Sequence, residues 1–285
     1  MYPYIHIGSL WIGTFGIMLW LAAVCACWAL NANFRRWNIE ADAISIVVIA
    51  TVVGVLGAKF WHEVQDLRDF WAAMRDIAAP GWKHPLDVLF GFVQWFRAGF
   101  AWFGGLVFGI AALLWQGRSY GIGKLRMLDL ATVAAAIGYG VGRIGCLTSG
   151  DGDYGIPTTL PWGVHMRPDA LAPTTALVQP TPIYELIVAV LIAWALWRRG
   201  APERPKPLGQ ITGEYLVLTG LARFLVEFIR INPKIYWGMS NAQVASIGSV
   251  IAGVGLILWA RKRDFRAREH AASPVRSGTE IGAPQ

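Results

Sequence analysis

Long apolar runs, each ended by a short polar or basic break, dominate this 285-residue chain and restrict what it can fold into. At about 1.5 Å of rise per residue and about 30 Å of hydrocarbon to cross, they place membrane helices at 9–31, 42–61, 98–116, 127–144, 183–197, 211–230 and 242–260. A water-soluble domain of this length has no use for 55% hydrophobic and only 15% charged residues. The expected fold is therefore all-α: a polytopic integral membrane protein with about seven transmembrane helices. The first run has no Lys or Arg before it and is longer than a signal-peptide core, so it reads as a retained helix.

The net charge of +7 does not point to nucleic acid, because the basic residues sit mostly in short connections between apolar runs. Four connections on one side hold Arg35 and Arg36, then Arg118, Lys124 and Arg126, then Arg198 to Lys206, then Arg261 to Arg276. The other side holds only Arg68, Arg75, Lys83, Arg97, Arg167 and Lys234, spread over longer loops. Cytoplasmic loops carry the excess of Lys and Arg, which puts the N-terminus outside and the C-terminus in the cytoplasm. Residues 1–265 then form one membrane domain with extracytoplasmic loops near 62–97 and 145–182. The loop at 62–97 carries Trp61, Trp71, Trp82 and Trp95 among charged residues, the pattern of a segment lying in the interface. Residues 266–285 read as a basic, disordered cytoplasmic tail.

Charges within an apolar run cost several kcal/mol unless paired or hydrated, so each marks a candidate site. Lys59 closes the second run, where a lysine normally reaches for the interface. Arg143 ends the fourth run among Gly138, Gly140, Gly142 and Gly145. Small residues admit close helix approach and expose backbone, and an arginine beside them offers a planar fork suited to phosphate. Arg223 and Glu227 are four apart in the sixth run and share a helix face, either as a local ion pair or as a pair facing the bundle interior. Convergence of Arg143 and Arg223 in the outer half would make a phosphate-sized anion site. Asp151 and Asp153 lie in a glycine-rich turn whose spacing fits no calcium loop, so no metal ligand set is assigned. Glu185 opens the fifth run, where it favours the helix dipole. Cys25, Cys27 and Cys146 suggest neither a disulfide framework nor a zinc site.

The combination of FGGLVFG (Phe103–Gly109), LDLATVAAAIGYGVGRIGC (Leu128–Cys146), GDGDYGIPTTLPWGV (Gly150–Val164), QPTPIYE (Gln179–Glu185), GLARFLVEFIR (Gly220–Arg230) and SNAQVASI (Ser240–Ile247) resembles the prolipoprotein diacylglyceryl transferase family. The resemblance runs over about residues 9–260. It implies a cofactor-independent enzyme of the bacterial cytoplasmic (inner) membrane. Such an enzyme transfers the diacylglyceryl group of phosphatidylglycerol to the lipobox cysteine of a prolipoprotein signal peptide, forming a thioether and releasing glycerol phosphate. It also implies catalytic roles for Arg143, Arg223 and Glu227. The substrate-binding residues it implies are Arg143, Gly104, Gly105, Gly145, Asp151 and Gly155. Partners are then phosphatidylglycerol, the prolipoprotein and the bilayer.

The chain departs from the family pattern at Phe103, Thr219, Phe15, Cys146 and Gln179, which removes the usual imidazole and phenol groups. Glu227, Asp151 and Asp153 remain as proton acceptors for a thiol that titrates near about 8.5. Two other readings stand at this stage: a divergent paralogue with another acceptor at the same phospholipid site, and a transporter or lipid-binding membrane protein.

Overall fold

The computed structural model describes residues 2–8, 10–81, 83–96 and 99–272. Two strands, β1 (Tyr4–Ile7) and β2 (Leu10–Gly13), form an antiparallel hairpin that turns at Gly8, whose φ of 62° suits glycine. Helix α1 (Thr14–Arg36) follows directly, so the first apolar run becomes helical five residues later than expected, after a hairpin that its start had concealed. Thr14 ties the junction by donating its N–H and hydroxyl to the Pro3 carbonyl.

Helix α2 (Ala43–Gln65) is N-capped by Asp42, which accepts from Ile44 N at 2.9 Å. It continues past the expected end at 61 into α3 (Leu67–Ala78), and α4 (Pro85–Phe96) follows. Neither α3 nor α4 buries a side chain, so the expected connection is two short helices rather than an open loop. Trp82 and Arg97 lie outside the described residues. Lys59 does not reach outward as its position suggested. It is buried, paired with Glu63 at 2.7 Å and donating to the Trp95 carbonyl at 2.8 Å, and so ties the end of α4 to α2.

Helix α5 (Trp102–Ser119) crosses α2 on glycines. A Cβ at Gly104 would run into the Gly57 carbonyl oxygen and Trp61, whereas one at Gly105 would stand 3.5 Å from Ala58 Cβ, an ordinary contact. Gly104→Ala is therefore expected to cost about 1–3 kcal/mol of stability through forced helix separation, with Gly105→Ala near neutral. Thermal unfolding of the purified variants checks this; equal behaviour of the two would remove the packing explanation.

Helix α6 (Lys124–Ser149) ends at Gly150 in the left-handed conformation. It packs between α1 and α7 (Thr181–Arg199), which in turn contacts α8 (Gln210–Val226). The core formed by Leu30, Phe34, Ile46, Met127, Leu130 and Leu196 sits among α1, α2, α6 and α7. A small hairpin of β3 (Lys234–Tyr236) and β4 (Met239–Ser240) leads into α9 (Asn241–Ala272), which packs on α8. The start of the expected tail is thus helical, and residues 273–285 lie outside the described residues.

Among the described residues the chain is mostly helical, with two small hairpins the apolar pattern did not announce. Among the described residues, α1, α2, α6, α7 and α9 are long and apolar enough to cross a membrane. Their outward faces carry exposed Trp20, Trp28, Val48, Leu191, Trp194, Ile251 and Leu258, side chains that a hydrocarbon surrounding would cover.

Candidate active site

Four segments meet around one carboxylate. Pro182 stands in the first turn of α7, where its missing N–H costs nothing, and a turn later the helix carries Glu185 inward. The last turns of α6 bring Arg143 to it, with Nε donating to Glu185 Oε2 at 2.8 Å. From α8, Arg223 Nη1 donates to Glu185 Oε1 at 3.0 Å. From the segment after α8, Arg230 Nη1 donates to Oε2 at 3.4 Å. The Tyr139 hydroxyl completes the shell, donating to Oε1 at 2.6 Å.

The loop at 150–180 supplies a second bridge. Asp153 pairs with both Arg143 and Arg230. Its place is fixed by backbone bonds: Thr181 Oγ1 donates to the Asp153 carbonyl at 2.6 Å, Gly155 N to the Gln179 carbonyl at 2.8 Å, and Ile156 N to the Ile229 carbonyl at 2.8 Å. A Cβ at Gly155 would meet the Ile229 oxygen at 2.6 Å, so only glycine lets this loop lie against the Arg230 strand segment. Glu227 pairs with Arg223 at 3.0 Å and accepts from Asn232 Nδ2 at 2.6 Å.

Arg143, Arg223 and Arg230 thus face Asp153, Glu185 and Glu227, three positive charges against three negative. Mutual neutralisation is what permits so many charges in a poorly hydrated place. They are not equally occupied. Every nitrogen of Arg143 is engaged, its Nη1 also reaching Cys146 Sγ at 3.3 Å. The Arg230 side chain is 3% exposed and the Arg143 side chain 12%. Among the described residues, Arg223, 27% exposed, has only its two terminal nitrogens paired, which leaves N–H groups without a partner.

Of the residues singled out from sequence, Arg143, Arg223 and Glu227 come together. Asp151 stands beside them next to Cys146, and Gly155 lies under Arg230. The described contacts of Gly104 and Gly105 are with α2, and those of Gly145 are with Phe15 and Met18 of α1. Glu185 does more than meet the helix dipole: it is the hub, a role visible only once its partners on other elements are in place. Arg230, Asp153 and Tyr139 also join the site. From sequence Asp153 is named only as a candidate proton acceptor, and the sequence signal of Arg230 and Tyr139 is no more than membership in the runs that carry Arg223 and Arg143.

The two loop carboxylates are driven apart. Burial would raise Asp153, but the Arg143 and Arg230 guanidiniums overcome it and hold the group below its ordinary value. Desolvation, then the neighbouring Asp153 charge, pushes Asp151 up. A depressed folded value means Asp153 contributes stability above its unfolded value of about 3.9, lost as pH falls through the folded one. Asp153→Asn is expected to remove part of the loss of stability below about pH 4, read from unfolding temperature against pH. An unchanged acid limb would contradict the pairing.

The Cys146 thiol and the Asp151 and Asp153 carboxylates lie within 4.8 Å of one another. Two guanidiniums already occupy Asp153 and repel a metal cation.

A mostly helical chain with membrane-length apolar helices and a buried arginine–carboxylate cluster is the frame of a membrane enzyme acting on an anionic group. A model of the family described as prolipoprotein diacylglyceryl transferase matches residues 3–259, and the chain belongs to that family. It is similar to proteins named phosphatidylglycerol--prolipoprotein diacylglyceryl transferase from several bacteria. The one from Nitrosomonas europaea is 30% identical over 85% of this chain and 80% of its own length. That of Pseudomonas savastanoi pv. phaseolicola is 29% identical over 94% and 96%, and that of Leptospira interrogans 28% over 86% and 88%.

Proposed function

We propose that this chain transfers the diacylglyceryl group of phosphatidylglycerol to the cysteine thiol of a prolipoprotein, as its family does. The observation that carries the reading at the level of residues is the partly open guanidinium of Arg223 within a neutral cluster centred on Glu185. The lipid phosphate binds Arg223 by exchanging with a carboxylate contact. Tyr139 keeps Glu185 Oε1 satisfied when Arg223 turns to the phosphate. Arg143, held through Glu185 and Asp153, supplies the charge behind it.

In the transfer, the acceptor sulfur forms a bond to the glycerol carbon that bears the phosphate. The carbon–oxygen bond breaks and its electron pair leaves with glycerol phosphate. Negative charge grows on that oxygen, where fixed guanidiniums stabilise it most. The thiol proton goes to a carboxylate. Glu227 and Asp153 are committed to arginines, so Asp151, whose affinity for a proton is raised, is the acceptor assigned in this proposal.

The proposal includes seven crossings, made by α1, α2 and α5 to α9, in the cytoplasmic membrane. The N-terminus lies outside, the C-terminus inside, and the loop at 150–180 on the outer face. The side on which Arg35, Arg36, Arg118, Lys124, Arg198 and Arg199 gather supports that orientation. Gly104 and Gly145 serve as close-packing positions that shape the bundle around the substrate, with Gly105 beside Gly104 on the face against α2.

The test is complementation. In a strain depleted of its own transferase, expression of this chain is expected to restore lipid labelling of a lipobox substrate. Correct membrane insertion without any labelling would reject the reading in favour of another acceptor.

A further inference from the structure

A second group of cations lies at the other end of α6 and has no part in the transfer described above. A polar cavity of about 20 Å³ opens between the end of α1, the start of α6, the end of α7 and the start of α8. That volume takes one oxygen-sized group. Its lining includes Arg36, Trp37, Arg126, Asp129 and Lys206.

Two of these cations are held rigidly. The Arg36 guanidinium donates to Asn33 Oδ1 and to the Trp197 carbonyl, each at 2.6 Å, and stands 3.8 Å from the Trp197 ring centroid. Arg126 lies 3.7 Å from the Trp37 ring centroid, with no ion pair or hydrogen bond to its guanidinium among the described residues. The two arginines are close enough to repel each other. The carboxylate in the lining, Asp129, is within electrostatic reach of Arg126, but its hydrogen bonds go to α8. It accepts from Gly209 N at 2.7 Å, Thr212 N at 2.8 Å and Thr212 Oγ1 at 2.6 Å. Glu203 acts on Arg36 from an exposed position outside the lining.

Glu214 lies within electrostatic reach of Lys206, but its hydrogen bonds go to Arg199 and Gln210. Planar cations fixed on aromatic rings, facing one cavity with a lysine and with no carboxylate hydrogen-bonded to Arg126 or Lys206 among the described residues, form a receptor for an oxyanion. We propose that this cavity binds a phosphate group, with one phosphate oxygen seated among Arg36, Arg126 and Lys206. Arg126 and Arg143 are separated along α6 by roughly 25 Å at about 1.5 Å per residue, so this site and the catalytic cluster lie at opposite ends of one membrane-length helix. Basic pockets between membrane helices at such a level hold phospholipid headgroups. A headgroup phosphate and free phosphate share the chemistry, and the experiment separates them.

The full chain carrying Arg223→Ala, which removes the partly open guanidinium of the catalytic cluster, is purified in detergent. It is titrated with dioctanoyl phosphatidic acid, dioctanoyl phosphatidylcholine and inorganic phosphate, with unfolding temperature and dissociation constant as readouts. Phosphatidic acid is expected to bind and stabilise, less so at high salt. Adding Arg126→Gln should weaken it by about tenfold, the loss of one charge-assisted bond. Stronger binding of lipid than of inorganic phosphate assigns the site to a headgroup; equal binding assigns it to free phosphate. Should Arg126→Gln fail to fold, Lys206→Gln carries the test, with a severalfold loss expected. Unchanged binding in Lys206→Gln, or in both variants, overturns the proposal. Lipid transfer by the otherwise unmodified chain does not depend on this outcome, since Arg126 and Lys206 touch none of the catalytic cluster.

Discussion

Glu185→Ala should abolish diacylglyceryl transfer and lower stability together. Three arginines from three segments converge on this one carboxylate, whose side chain is 5% exposed. Its removal leaves uncompensated positive charge in a poorly hydrated place, a loss of about 3–5 kcal/mol when a buried pair is broken. Glu185→Gln keeps the shape and one acceptor oxygen but not the charge, so it should fold better than the alanine variant and still transfer poorly. Unfolding temperature and labelling of a lipobox substrate, measured on both variants, check this. Full stability in Glu185→Ala would mean the three guanidiniums find other partners, and the hub assignment would fall.

Arg223→Ala should behave in the opposite way, with the fold kept and the chemistry lost. Arg223 is the most exposed of the three arginines, and Glu185 and Glu227 each keep another partner without it. If its open N–H groups hold the leaving phosphate, their removal should cost about 10²–10³ in kcat/KM, the usual effect of deleting a donor aimed at developing charge. Arg223→Lys keeps the charge but not the fork, so it should recover only part of the loss. A near-normal rate in Arg223→Ala with phosphatidylglycerol as donor would move the phosphate to Arg143.

The helical, membrane-type frame was legible because hydrocarbon imposes a length and a composition on whatever crosses it. Among the described residues each of the seven apolar runs holds a helix, displaced by a few residues at most ends and extended by twelve at the end of α9. The hairpin at residues 4–13 was hidden since Leu10–Gly13 is as apolar as the helix it precedes. Lys59 misled for a related reason: a lysine at a helix end usually reaches water, and only the neighbouring Trp95 carbonyl and Glu63 explain its burial. Arg143, Arg223 and Glu227 stood out because a charge in an apolar run is conspicuous. Glu185 reads from sequence only as favouring the helix dipole, and Asp153 only as one candidate proton acceptor in a turn, contexts where carboxylates are ordinary. Their importance comes mostly from partners far along the chain, 38 positions for Glu185 and Arg223 and 77 for Asp153 and Arg230, which no local pattern encodes.

Those separations also set an order of assembly. During synthesis the segment holding Arg143 and Glu185 emerges before Arg223 and Arg230, and the first pair can close into a neutral unit as α6 and α7 enter the bilayer. The Arg223 guanidinium, which receives the phosphate in the proposal above, arrives only with α8. Under that proposal, a chain interrupted before α8 would carry the closed Arg143–Glu185 pair without the guanidinium that receives the phosphate, so the binding function is added last.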